Sequence, residues 1–123
     1  MENLFIARSD ETPEINFNVN GDLLVKGVSI PENILKFYKP VMDWIERFEK
    51  HPVEVVKITF EIEYANTSSS RVFIDLIRRV DGLKKSGVNS TIIWRYAEGD
   101  DDNYDLGKDM EYVTKALIVF SAI

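Results

Sequence analysis

A chain of 123 residues, 45% hydrophobic and 29% charged, is the sequence of one soluble globular domain, 1–123, with enough apolar side chain for a single core. Its formal charge of −6 and pI near 4.8 argue against a nucleic-acid binder, which presents a basic stripe. With no cysteine there is no disulfide framework, thiolate nucleophile or cysteine zinc site, and the lone histidine, His51, leaves a histidine-based metal site or catalytic triad nothing to draw on.

The first residues, Met1 to Ile6, lack the basic start and long apolar core of a signal peptide, and the apolar run Ala116 to Phe120 is too short to span a bilayer. The expectation is a cytoplasmic protein. Leu4-Phe5-Ile6 predicts a short edge strand, followed by a turn over Ser9 to Pro13. From Glu14 the pattern alternates, with Ile15, Phe17 and Val19 on one face. Asn20-Gly21 then predicts a type I′ hairpin turn, because both residues tolerate positive φ. Asp22 to Val28 is the return strand, with Leu23, Val25 and Gly27 on one face.

Ser29-Ile30-Pro31-Glu32 has the spacing of a capping box and predicts a helix start. Ile34, Phe37, Tyr38, Val41, Trp44, Ile45 and Phe48 recur at helical spacing; Pro40 falls inside the pattern and is expected to kink the helix without ending it. His51 suits the helix C-terminus. Val56, Ile58, Phe60, Ile62 and Tyr64 alternate with Lys57, Thr59, Glu61 and Glu63, so one face of this strand is polar. A strand of a sheet covered on both faces reads apolar throughout. The alternation therefore predicts a two-layer domain with helices mainly on one face, and Glu61 and Glu63 as a solvated sheet surface.

Tyr64-Ala65-Asn66-Thr67-Ser68-Ser69-Ser70-Arg71 joins that strand to a second helix marked by Val72, Phe73, Leu76, Ile77, Val80 and Leu83 and ended near Gly87. A strand follows over Thr91 to Tyr96. Strand, helix and strand with short connections predict a right-handed βαβ unit with parallel strands, whose functional end carries Tyr64 to Ser70 and the segment after Tyr96. Hydroxyls at the opening of a helix meet free N–H groups and a dipole that favours negative charge. Glu98 to Asp105 reads as an acidic loop before a short helix over Asp109 to Lys115. An EF-hand register from Asp101 fails, since Leu106 stands in place of the glycine and Tyr112 in place of the bidentate glutamate. Ala116 to Phe120 predicts a final buried strand.

Two alternatives stay open at this point. One is a small metal-assisted enzyme using Asp100, Asp101, Asp102 and Asp105 with Glu61 or Glu63. The other is a small-ligand sensor at the acidic segment 98–105 and the strand ends, with Trp94 and Tyr96 as stacking walls, though core packing explains these aromatics more simply.

Thr12-Pro13-x-Ile15-x-Phe17, Gly27-x-Ser29-x-Pro31-Glu32-Asn33, Phe37-Tyr38-x-Pro40-x-x-x-Trp44, Tyr64-x-Asn66-Thr67-Ser68-Ser69-Ser70 and Trp94-x-Tyr96, taken in order, resemble the SiaC-like biofilm-regulation phosphoproteins. The resemblance covers nearly the whole chain. It implies an α/β, STAS-like two-layer sandwich: a mixed sheet with an N-terminal hairpin and a βαβ unit. It implies a non-enzymatic partner-switching regulator without cofactor or metal, phosphorylated by a HATPase-type kinase and released by a PP2C-type phosphatase. Its unphosphorylated form is expected to activate a diguanylate cyclase and so raise cyclic di-GMP. Carried over by motif, the phosphorylated residue is Thr67. Asn66, Ser68, Ser69, Ser70 and Arg71 are then expected to form caps and partner-binding surface, with Arg71 the nearest cation to a phosphate.

Overall fold

Residue parity builds the sheet. Ile15 and Phe17, Leu23 and Val25, Val56 through Ile62 on even positions, and Ile92 with Trp94 all turn to one face and are buried. The computed structural model describes residues 1–123. Its strands are β1 (Leu4–Ile6), β2 (Glu14–Phe17), β3 (Asp22–Ser29), β4 (Val55–Ala65), β5 (Asn89–Tyr96) and β6 (Ile118–Ala122). Helix α1 (Ile34–Lys50) joins β3 to β4, α2 (Thr67–Gly82) joins β4 to β5, and α3 (Asp101–Thr114) joins β5 to β6. All six strands lie in one sheet in chain order: β1, β2 and β3 antiparallel, β3 through β6 parallel. Parallel strands taken in order, each with a right-handed crossover, place every crossover helix on the same face. Accordingly α2 packs between α1 and α3, and a single cluster of 24 buried residues fills the space between the two layers.

The expected mixed sheet, hairpin, βαβ unit and one-sided helices are all present. Several local expectations are corrected. The hairpin connection spans residues 18–21 and is not a type I′ pair: Gly21 alone takes positive φ, at 103°, while the Asn18 N–H donates to the Asp22 carbonyl. A Cβ on Gly21 would stand 2.2 Å from the Val55 carbonyl oxygen, so the turn requires glycine. Helix α1 does not start from Ser29. Ser29 is the last residue of β3, still paired with Ala65, and the cap is Asn33, whose Oδ1 accepts from the Lys36 N–H at 3.1 Å. The helix runs through Pro40 to Lys50 and ends at His51, as the apolar stripe implied.

Only Glu98 to Asp100 of the acidic segment is a turn; Asp101 to Asp105 belongs to α3. Asp100 caps α3 through the Asn103 N–H, and Asp101 and Asp102 form its first turn, where carboxylates offset the helix dipole. The expected short helix over Asp109 to Lys115 is the second half of α3. The final strand β6 is an edge strand, with Ile118 buried but Leu117 and Val119 exposed. It is not enclosed between neighbours.

The open face of the sheet is charged and largely paired. Glu61 meets Lys26 at 3.3 Å and Arg95 at 3.4 Å, and Glu63 meets Arg8. Glu61 is therefore less solvated than its place on a polar face suggests.

Candidate functional site

The βαβ unit β4–α2–β5 brings the hydroxyl-rich turn to the carboxyl end of the parallel strands, beside the end of β3. Asn66 has extended backbone and caps α2: its Oδ1 accepts from the Ser69 N–H at 2.9 Å and its carbonyl from the Ser70 N–H at 3.0 Å. Asn66 is itself tied to the neighbouring strand, its N–H donating to the Ser29 carbonyl at 3.1 Å. Helix geometry leaves the N–H groups of the first residues, Thr67 and Ser68, without intrahelical acceptors.

Beneath this turn lies a chain of buried hydroxyls. Ser69 Oγ donates to the Ser29 carbonyl at 2.9 Å and accepts from Ser29 Oγ at 2.7 Å. Ser29 has then spent its single proton, so the Tyr38 hydroxyl, 2.6 Å away, donates to it. The order is Tyr38 to Ser29 to Ser69 to backbone, and each buried group has a partner. Ser29 and Ser69 are fully buried and Tyr38 is 2% exposed. Burial pushes the Tyr38 phenol up to about 12, against smaller opposing effects of the Ser29 and Ser69 hydroxyls beside it. The network stitches β3, α1 and the start of α2 together under the turn.

The five hydroxyl and amide positions expected at the site therefore divide. Thr67 and Ser68 are exposed, Asn66 and Ser70 half-buried, and Ser69 faces inward. Ser69 does not reach the surface and is removed from the expected partner-binding set: it fastens the turn from below. Arg71 is exposed and four residues after Thr67, on the same side of the helix, and it has no ion-pair partner. Sequence reasoning missed Ser29 and Tyr38 as members of this site. The signal was present, because Ser29 shares strand parity with Leu23 and Val25 and so points inward.

The site has no nucleophile–base pair and no carboxylate dyad. It presents an exposed secondary hydroxyl, that of Thr67, on a firmly held helix start. The other candidates separate from it. No three acidic or histidine side chains converge in a way that could hold a metal ion. Trp94 is fully buried, donates Nε1–H to the Asn103 carbonyl at 2.9 Å and stacks on Phe60, so it walls the core and not an open pocket. Tyr96 packs edge-on to Tyr104. No helix is long and apolar enough to cross a membrane.

The fold defines a mixed α/β domain with its helices on one face and a hydroxyl-rich helix start at the carboxyl end of its parallel strands. Residues 6–122 match the SiaC family regulatory phosphoprotein model, and the chain belongs to that family. A relative from Pseudomonas aeruginosa (strain UCBPP-PA14), itself uncharacterized, is 29% identical over 97 residues, covering 78% of this chain and 77% of its own. Apo-SiaC from Pseudomonas aeruginosa superimposes with a TM-score of 0.86 at 26% identity, over 99% of this chain and 100% of that one. The SiaC chain solved in complex with the diguanylate cyclase SiaD, described there as its activator, has the same fold: TM-score 0.89 at 24% identity, over 98% and 99% of the two chains.

Proposed function

We propose that this chain is a non-enzymatic phospho-switch that binds and activates a diguanylate cyclase when Thr67 is unmodified. A HATPase-type kinase would transfer a phosphoryl group to Thr67 Oγ1, and a PP2C-type phosphatase would remove it. The output would be cyclic di-GMP and, through it, biofilm control. The observation that carries this reading is the position of Thr67: exposed, at the first residue of α2, on a turn held from below by side chains that modification does not touch. Membership of a family of regulatory phosphoproteins supports it, as does the solved SiaC that activates SiaD.

The physics is consistent with a reversible switch. A phosphate adds about −1.5 to −2 charges and three acceptor oxygens. At a helix N-terminus these meet free N–H groups and a favourable dipole, so the fold tolerates them. A partner docked over the turn instead has to accommodate an added, poorly desolvated dianion. Incubation with the cognate kinase and ATP is expected to place phosphate on Thr67 by mass spectrometry, and Thr67→Glu is expected to bind the cyclase about tenfold or more weakly. Phosphate found only at other residues, or wild-type affinity of Thr67→Glu, would contradict the proposal.

A further inference from the structure

Strand β6 ends the sheet on one side, with β5 as its only neighbour. The stretch from Ala116 to Ile123 carries no charge and no proline, and the β5–β6 register runs without a bulge. Edge strands are ordinarily guarded against pairing by charges, proline, bulges or shortness. The opposite edge, β1, is short, with Glu2 before it and Arg8 after it. Strand β6 has none of these guards, on a chain whose formal charge is −6.

The backbone of β6 divides by parity. The Ile123 N–H donates to the Tyr96 carbonyl at 2.9 Å, and the Ile123 carbonyl accepts from the Glu98 N–H at 2.9 Å, so Ile123 turns both groups toward β5. Successive residues of a strand turn their backbone groups to opposite sides, so Ile118, Phe120 and Ala122 turn theirs outward. The Ile118 N–H is already held by the Glu111 carboxylate at 3.0 Å. Phe120 and Ala122 are left facing outward with no strand beyond them.

The side chains of Val119, Ser121 and Ile123 lie on the open face of the sheet. Val119 ends a row that crosses every strand in register: Phe5, Asn16, Leu24, Thr59, Ile93, Val119. Apart from Asn16 and Thr59 the row is apolar, and it stops at the edge. Val119 is 53% exposed and Ile123 52%, and they stand at equal distances on either side of Ser121.

We infer that β6 pairs antiparallel with β6 of a second copy of this chain, about a two-fold axis at Ser121. In that register Phe120 faces Ala122 of the second copy, and the two exchange both backbone hydrogen bonds. The symmetry repeats the exchange, so the outward groups of both residues are satisfied while Glu111 keeps the Ile118 N–H. Val119 lies opposite Ile123 of the second copy, an apolar cross-strand pair that carries the open-face row over the axis. The free backbone groups and the exposed apolar side chains are both placed symmetrically about Ser121. Self-pairing about a two-fold requires that symmetry, and a foreign strand does not. The result is one sheet continuous through both copies, with the two Thr67 turns at its opposite ends. A single strand pair is a small contact, so the dimer forms reversibly as concentration rises. The inference is independent of the phospho-switch reading, because the Thr67 turn follows β4 and lies away from β6.

Sedimentation equilibrium of the wild-type chain is expected to show conversion from monomer to dimer between micromolar and millimolar concentration. Val119→Lys sets an ammonium group against Ile123 of the second copy, twice per dimer. It is expected to raise the dissociation constant about tenfold or more, with an unchanged circular dichroism spectrum. The chain has no cysteine, so Ser121→Cys introduces a single thiol. Its counterpart across the axis has a Cα about 4.5 Å away, within the reach of a disulfide. Under mild oxidation Ser121→Cys should cross-link to a dimer. Val119→Cys is more exposed but stands roughly 14 Å along the strand from its counterpart, and should not. Should Val119→Lys lose its fold, the two cysteine variants decide. The pairing is overturned by a wild type that stays monomeric throughout, by a folded Val119→Lys that dimerises as wild type, or by Ser121→Cys cross-linking no faster than Val119→Cys.

Discussion

Thr67 and Ser69 lie two residues apart in the same helical turn and have opposite environments. One is exposed; the other is fully buried beneath Asn66 and bonded to β3. Their types are nearly interchangeable, so the sequence alone does not distinguish a modifiable hydroxyl from a structural one. What separates them is Ser29, an inward hydroxyl at the end of β3 that gives Ser69 a partner, and Tyr38, which completes the chain. This network has a measurable signature. The Tyr38 phenol is held up at about 12 in the folded protein against an ordinary 10.0, chiefly by burial. Between those values the unfolded chain has given up the proton and the folded one keeps it, so the stabilisation present below pH 10 is lost as pH rises toward 12. The expected loss is roughly 2–3 kcal/mol. Urea denaturation across that range should show the decline, and Tyr38→Phe should flatten it. An equal decline in Tyr38→Phe would place the cause among the other groups that titrate in that range, the remaining tyrosines and the lysines.

Among the elements, those with a clear period were legible and α3 was not. Helices α1 and α2 carry apolar stripes at helical spacing, and β3, β4 and β5 alternate. Helix α3 turns Asn103, Gly107 and Met110 inward, a stripe with the right spacing but only one strongly apolar residue. Composition then made its start look like an acidic loop. The reason for a glycine there is steric. A Cβ on Gly107 would stand 2.6 Å from Trp94 Cδ1 and 2.7 Å from Phe120 Cε1, both rigid ring atoms. Gly107→Ala would gain at most about 1 kcal/mol in helix propensity. It would lose about 1–3 kcal/mol to overpacking. A lowered thermal midpoint is therefore expected, with Trp94 fluorescence changed. A raised midpoint would mean that α3 moves away from the sheet at little cost.

At the scale of the whole molecule, one-sided burial was readable from the polar face of β4, and the parallel pairing of β4 with β5 from the βαβ spacing. Strand order was not, because parity says which face a residue takes and nothing about its lateral neighbours. That is why the apolar run at the end of the chain, expected to be enclosed, is the edge strand β6. Chain-order stacking has a functional consequence. It sets the starts of α1 and α2 side by side at the carboxyl end of the parallel strands, where the Thr67 turn lies. A phosphate on Thr67 would add charge to that exposed surface and leave the 24-residue core untouched.

The most direct test of a phospho-switch compares cyclic di-GMP synthesis by the diguanylate cyclase with three preparations: no added chain, the unmodified chain, and the chain fully phosphorylated on Thr67. The unmodified chain should raise the rate. The phosphorylated chain should leave it near the unassisted level, and treatment with the PP2C-type phosphatase should restore stimulation. Equal stimulation by the modified and unmodified chains would contradict a switch at Thr67.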